Sequence, residues 1–147
     1  MNQHKTIAIG ADHAGFEYKQ FLLEQFQDSQ VKDYGTYSAD SVDYPDFAHP
    51  VAGAVEDGEK DFGILICGSG QGMCMAANRF KGIRASLCDS VVEAKASRND
   101  DDANILCLPA RTIQEGQAEQ VTMTWLETAF AGAPRFKRRI AELDELG

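Results

Sequence analysis

Short apolar runs alternate along the chain with longer segments whose apolar residues recur at helical spacing. Thr6–Gly10, Phe62–Cys67, Ile83–Cys88 and Ala103–Leu108 are near-continuous apolar runs that predict strands, and Gln30–Tyr34 is a weaker fifth. Between them, Phe16–Phe26, Pro45–Glu56, Met73–Phe80, Ser90–Ser97 and Ile113–Phe130 predict helices, and a basic-to-acidic helix runs from about Arg135 to Leu146. Strands that are apolar throughout, rather than alternating, are buried on both faces. Strands separated by helices imply right-handed crossovers. The pattern therefore predicts an α/β chain: one three-layer α/β/α, Rossmann-like domain over residues 1–147 with a five-stranded parallel sheet.

Composition narrows the function classes. Lys and Arg number 14 against 23 Asp and Glu, a net charge of −9, which speaks against bulk attraction to nucleic acid or anionic lipid. No run approaches the ~18 apolar residues of a membrane span, and the polar start Met1–Thr6 does not read as a signal peptide. Cys67, Cys74, Cys88 and Cys107, with His4, His13 and His49, form no metal-ligand spacing. The expectation is a cytoplasmic protein with reduced thiols and no metal or cofactor.

Open parallel sheets bind ligands beyond the carboxyl ends of their strands. Three turns lie there: Gly10-Ala-Asp12-His13-Ala-Gly15, Cys67-Gly68-Ser69-Gly70-Gln71-Gly72 and Pro109-Ala-Arg111. The glycine loop can converge backbone N–H groups on an anion, though it matches neither the Walker A nor the dinucleotide pattern; a tight packing turn is the plain alternative. Cys67 stands just before a helix start, where a thiolate is favoured, whereas Cys88, Cys107 and Cys74 read as small core residues. His13, behind Asp12, reads equally as an exposed residue on an Asp-capped helix start.

Arg135-Phe-Lys-Arg-Arg139 gathers four of the 14 basic residues into five positions. Arg135 and Arg139 share a helix face and could grip one phosphate; the plain alternative is a solvated face paired with Glu142 and Asp144. Basic residues in a first helical turn oppose the macrodipole, which hints at an anion compensating them.

Gly10–Gly15, Asp43-Tyr-Pro-Asp46, Gly63–Gly72, Gly82-Ile-Arg-Ala85 and Asn104-Ile-Leu106 resemble, in order and over essentially the whole chain, the type B ribose-5-phosphate isomerases and the related galactose-6-phosphate isomerase subunits. The resemblance implies an aldose–ketose isomerase of the pentose phosphate pathway that interconverts ribose 5-phosphate and ribulose 5-phosphate through a cis-enediolate without metal or organic cofactor. By resemblance, Cys67 is the proton-shuttling base, and Ser69 with the Gly68, Gly70, Gln71 and Gly72 amides is the anion hole. Asp12 and His13 match sugar and phosphate contacts, Tyr44 matches a residue lining the pocket, and Arg111, Arg135 and Arg139 match phosphate-binding arginines. Family members are homodimers or dimers of dimers with sites at the subunit interface, so the basic cluster is expected to serve a neighbouring subunit's pocket.

One departure stands out. The family usually carries His-Asn after the fourth helix, the His opening the furanose ring; here Asp100 and Asp101 take those positions. Asp100 could act as the acid, because a carboxyl crowded by other acids holds a proton more readily, or it could lie in a polar loop capping the last strand. The pair could also favour another phosphorylated sugar, a tetrose or hexose phosphate, that needs no ring opening. Ala133-Pro134 with Phe136 replaces a usual Gly-Gly-Arg-His segment, which makes the Arg135 alignment depend on one inserted residue. Two further classes compete: a non-catalytic phosphometabolite-binding protein, against which Cys67 and Ser69 argue, and a thiol acyl-transfer enzyme with His13 as its base.

Overall fold

The computed structural model describes residues 5–26 and 30–146. Its strands are β1 (Ile7–Ala11), β2 (Val31–Asp33), β3 (Phe62–Cys67), β4 (Ala85–Leu87) and β5 (Ile105–Pro109). They form one all-parallel sheet in the order β2-β1-β3-β5-β4, with Ile9 beside both Asp33 and Ile64, and Cys67 beside Pro109. The helices are α1 (Phe16–Leu23), α2 (Pro45–Glu56), α3 (Gln71–Ala77), α4 (Val91–Asp101), α5 (Glu115–Glu127) and α6 (Pro134–Asp144).

Successive residues of the central strands face opposite cores. Ile7, Ile9, Ile64, Ile66, Leu106 and Leu108 join Leu22, Ala94, Val121 and Trp125 on the α1/α4/α5 side. Ala8, Leu65, Cys67, Ile105 and Cys107 join Val51, Ala52, Met73 and Ala77 on the α2/α3 side. The chain leaves β1 and β3 toward opposite layers, so the cleft between these neighbouring strands is the switch point of the sheet.

Several helix ends differ from the periodicity. Helix α1 stops at Leu23 and not at Phe26, and α3 spans Gln71–Ala77 and not Met73–Phe80. The ends of α4 and α5 have identifiable causes or consequences. Helix α4 runs four residues past Ser97, so Asp100 and Asp101 lie in its last turn and not in a loop. The Ser90 hydroxyl caps its start by accepting from the Glu93 N–H at 3.2 Å, and Arg98 pairs with Asp102 one turn on at 2.8 Å. Asp102 then ends the helix in the left-handed conformation, at φ 49°. Helix α5 stops at Glu127 and not at Phe130, because buried Arg98 takes the Thr128 carbonyl through Nε at 3.2 Å and draws the chain off the helix axis.

Helix α6 buries no residue, although Phe136, Ile140 and Leu143 lie along one face of it. Arg84, just before β4, reaches Asp144 at 3.3 Å and Asp102 at 3.7 Å. The Ala131 N–H donates to the Asn99 carbonyl at 3.1 Å. These bonds hold α6 and the end of α4 at the amino edge of the sheet.

Candidate functional site

The three carboxyl-end turns meet through backbone bonds. The Ala110 and Arg111 N–H groups donate to the Cys67 and Gly68 carbonyls, each at 2.9 Å, and the Asp12 N–H donates to the Ile66 carbonyl at 3.2 Å. Cys67, the last residue of β3, is 4% exposed and its thiol faces the α2/α3 side. Gly70, at φ 74°, turns the chain into α3.

Within the loop, the exposed Ser69 hydroxyl accepts from the Gln71 N–H at 3.2 Å. The Ser69, Gly70 and Gly72 N–H groups have no acceptor among the described residues, which leaves them available to an anion. Gln71 opens α3 and is exposed. Two glycines admit close neighbours: a Cβ on Gly68 would stand 2.8 Å from Arg111 Nη1, and one on Gly72 would stand 2.7 Å from the Tyr44 ring. Arg111 therefore lies across the head of the loop and Tyr44 over the start of α3.

Asp12 is buried, and its Oδ1 accepts from the Ala14 and Gly15 N–H groups at 3.0 and 3.1 Å, shaping the turn that presents His13. His13 is half-buried, and its Nδ1 accepts from the Val42 N–H at 3.2 Å. An acceptor Nδ1 in a neutral imidazole puts the proton on Nε2. The site thus offers a thiol, a row of loop amides, an imidazole donor and a guanidinium.

Four sequence candidates lie elsewhere. Asp100 accepts from Asn99 Nδ2 at 2.8 Å at the end of α4, and exposed Asp101 lines a cavity of about 530 Å³ with Arg84, Ala103 and Asp144. That cavity holds none of the carboxyl-edge residues. Asp102 is turned onto Arg98 and Arg84, so each acid of the run has different neighbours. Arg135 and Arg139 stand exposed on α6, with no ion-pair partner among the described residues; Asp144 pairs with Arg84 instead. Helix α4 starts beyond the carboxyl end of β4 and returns to the amino edge before β5, so one chain holds the two groups at opposite edges of its sheet.

Cys74, expected from the sequence to be a small core residue, packs against the α2/α3 core but is only partly buried. From α3 it donates to the Ala85 carbonyl at 3.4 Å. Hydrogen bonding from the Cys107 thiol, and from the Leu87 backbone after it, outweighs burial and lowers the Cys74 thiol to about 7. The same contact, together with full burial, raises Cys107, and burial raises Cys88. Only the fold sets these thiols together, so no sequence signal could have shown it. Limited iodoacetamide labelling is expected to mark Cys74 first, at a rate that rises through about pH 7 as the thiolate forms. Peptide mass spectrometry checks this, and a first label on Cys67, Cys88 or Cys107 contradicts it.

Residues 7–143 match the sequence model of the Ribose/Galactose Isomerase family. Ribose-5-phosphate isomerase B of Escherichia coli is 40% identical over 138 residues, 92% of each chain. The D-erythrulose-4-phosphate isomerase of Pectobacterium atrosepticum is 36% identical over 139 residues, 90% of this chain and 91% of that protein. Among solved structures, a ribose 5-phosphate isomerase of Thermotoga maritima superimposes with a TM-score of 0.93 at 46% identity, covering 97% of this chain and 99% of that one.

Proposed function

The chain belongs to the Ribose/Galactose Isomerase family, and on that premise we propose that this sugar-phosphate aldose–ketose isomerase interconverts ribose 5-phosphate and ribulose 5-phosphate with Cys67 as its base. The observation that carries the reading is the Cys67 thiol at the end of β3, directly before loop N–H groups that lack internal acceptors. In the aldose-to-ketose direction the Cys67 thiolate takes the C2 proton of the open-chain sugar. Electrons move from the C2–H bond into a C1–C2 double bond, and the C1 oxygen becomes the anionic oxygen of an enediolate. The Ser69, Gly70 and Gly72 N–H groups stabilise that oxygen where charge develops, each well-placed donor contributing about 10²–10³ in rate. Cys67 then returns the proton to C1 as the C2 hydroxyl proton moves to the C1 oxygen, which leaves the ketose.

The phosphate is bound by His13 Nε2–H and Arg111 from the same chain, and by Arg135 and Arg139 from a second copy. Tyr44 closes the sugar pocket over Gly72. Two features support such a homo-oligomer. Candidate residues lie at opposite edges of one protomer, and α6 carries an apolar face that its own chain covers only in part, with Leu143 48% exposed. Asp100 would then reach the neighbouring pocket as the ring-opening acid, beside Asp101.

A second reading follows from Asp100 in place of the expected histidine. A four-carbon sugar phosphorylated on O4 cannot close a furanose ring, so it needs no ring-opening acid, and one relative is a D-erythrulose-4-phosphate isomerase. Turnover without added metal, with ribose 5-phosphate beside D-erythrose 4-phosphate, tests both. Ribulose 5-phosphate formation that falls in Asp100→Asn supports the first reading. Turnover of the tetrose phosphate alone overturns it in favour of the second.

A further inference from the structure

The segment between β2 and α2 crosses the carboxyl edge as a strap fixed at both ends. At the β2 end the fully buried Lys19 pairs with Asp33 at 2.7 Å. Asp33 Oδ1 accepts from the Gly35 N–H at 2.9 Å, and its carbonyl accepts from the Tyr37 hydroxyl at 3.1 Å. Residues 34–36 extend the pairing with β1: the Tyr34 and Thr36 N–H groups donate to Ile9 and Ala11, and the Ala11 N–H donates to Gly35. At the α2 end Tyr44 sits over Gly72 and Pro45 begins the helix. Residues 38–41 are exposed, and the Val42 N–H that follows them donates to His13 Nδ1 at 3.2 Å.

Resting on the reading of His13 as a phosphate ligand, we propose that Val42 is a positioning residue: its backbone N–H locks neutral His13 in the Nε2–H tautomer and aims that donor at the phosphate. A neutral imidazole has one donor and one acceptor. With Nδ1 engaged by an N–H, the ring nitrogen that faces the ligand must be the donor, which is the form a phosphate oxygen requires. Were Nδ1 to carry the proton, Nε2 would present a lone pair to an anion. The buried Lys19–Asp33 pair matters here because it fixes the chain that delivers Val42; the strap becomes part of phosphate recognition through one backbone group.

The test separates the N–H from the side chain. Val42→Pro removes the donor, whereas Val42→Ala keeps it. Imidazole ¹⁵N spectra, with His13 assigned by comparison with His13→Gln, read the tautomer directly. The wild type is expected to show His13 as Nε2–H, and inorganic phosphate is expected to shift its Nε2 resonance. In Val42→Pro the tautomers mix, and KM for ribose 5-phosphate and the inhibition constant of inorganic phosphate both rise about tenfold, the range of one hydrogen bond, while kcat changes less than about threefold. Val42→Ala restores the wild-type tautomer and affinity, which a packing role for the valine side chain would not allow. An Nδ1–H His13 in the wild type overturns the proposal even if Val42→Pro fails to fold. So does a Val42→Pro protein whose tautomer and phosphate inhibition are unchanged. If the wild type does not turn over ribose 5-phosphate, the functional reading fails, and the tautomer with the phosphate titration still decides the positioning role.

Discussion

Cys67→Ala is expected to lower kcat for ribose 5-phosphate by about 10⁴-fold, the upper range for loss of a positioned acid–base group, with KM changed less than about threefold. Within the same chain no neighbouring group is placed to take over, and the neighbouring copy's Asp100 is assigned to ring opening and not to the C2 proton. Asp12 Oδ1 is engaged by two backbone N–H groups and His13 Nδ1 by a third, and Asp100 sits at the opposite edge of its own sheet. Cys107, on the adjacent strand, is fully buried, and its hydrogen bond with Cys74, followed by burial, raises its thiol well above the usual range. The loss would not reflect unfolding: deleting one buried sulfur atom costs about 1 kcal/mol, which a melting curve can separate from catalysis. Exchange of solvent deuterium into C1 of ribulose 5-phosphate provides the sharper measurement. Exchange at wild-type rate in Cys67→Ala would show that another group carries the proton.

The sheet and the site's carboxyl-edge half could be read from the sequence because each depends on local rules. Apolar runs such as Phe62–Cys67 are buried on both faces whatever packs on them, and parallel strands send their following turns to one edge, so Asp12, Cys67 and Arg111 had to meet. Periodicity failed where a distant group intervened. Arg98 looks like one more polar residue of α4, yet it is buried, with its guanidinium over Phe62 and Trp125. From there it extends one helix through Asp102 and ends another through Thr128. Lys19 likewise falls in a polar stretch, but Asp33, Phe16 and Tyr37 enclose it. The contacts of Tyr44 with Gly72 and of Val42 with His13 join residues 28 and 29 positions apart in sequence, and no spacing rule connects a strap to a turn. What the residues alone could not show is that Asp100, Asp101, Arg135 and Arg139 share the edge opposite Cys67; only the direction of α4 and α6 places them there.

That separation yields the second large effect. Cys67→Ala and the double variant Arg135→Ala with Arg139→Ala are each expected to be nearly inactive alone, the latter losing about 10²–10³ in kcat/KM through two charge-assisted phosphate contacts. Co-expressed as mixed dimers they should recover activity, because a heterodimer places both lesions in one site and leaves the other site intact. Random pairing makes half of the dimers mixed and one of two sites whole in each, so about a quarter of the wild-type rate should return. Two affinity tags isolate the mixed species, which should carry half the wild-type activity per dimer. Both variants retain the apolar face of α6, so assembly itself is not disturbed. A mixed dimer as inactive as its parents would show that Arg135 and Arg139 act on their own chain's pocket or not on substrate at all. The compensation expected for basic residues in the first turn of α6 would then have to come from something other than the neighbour's phosphate.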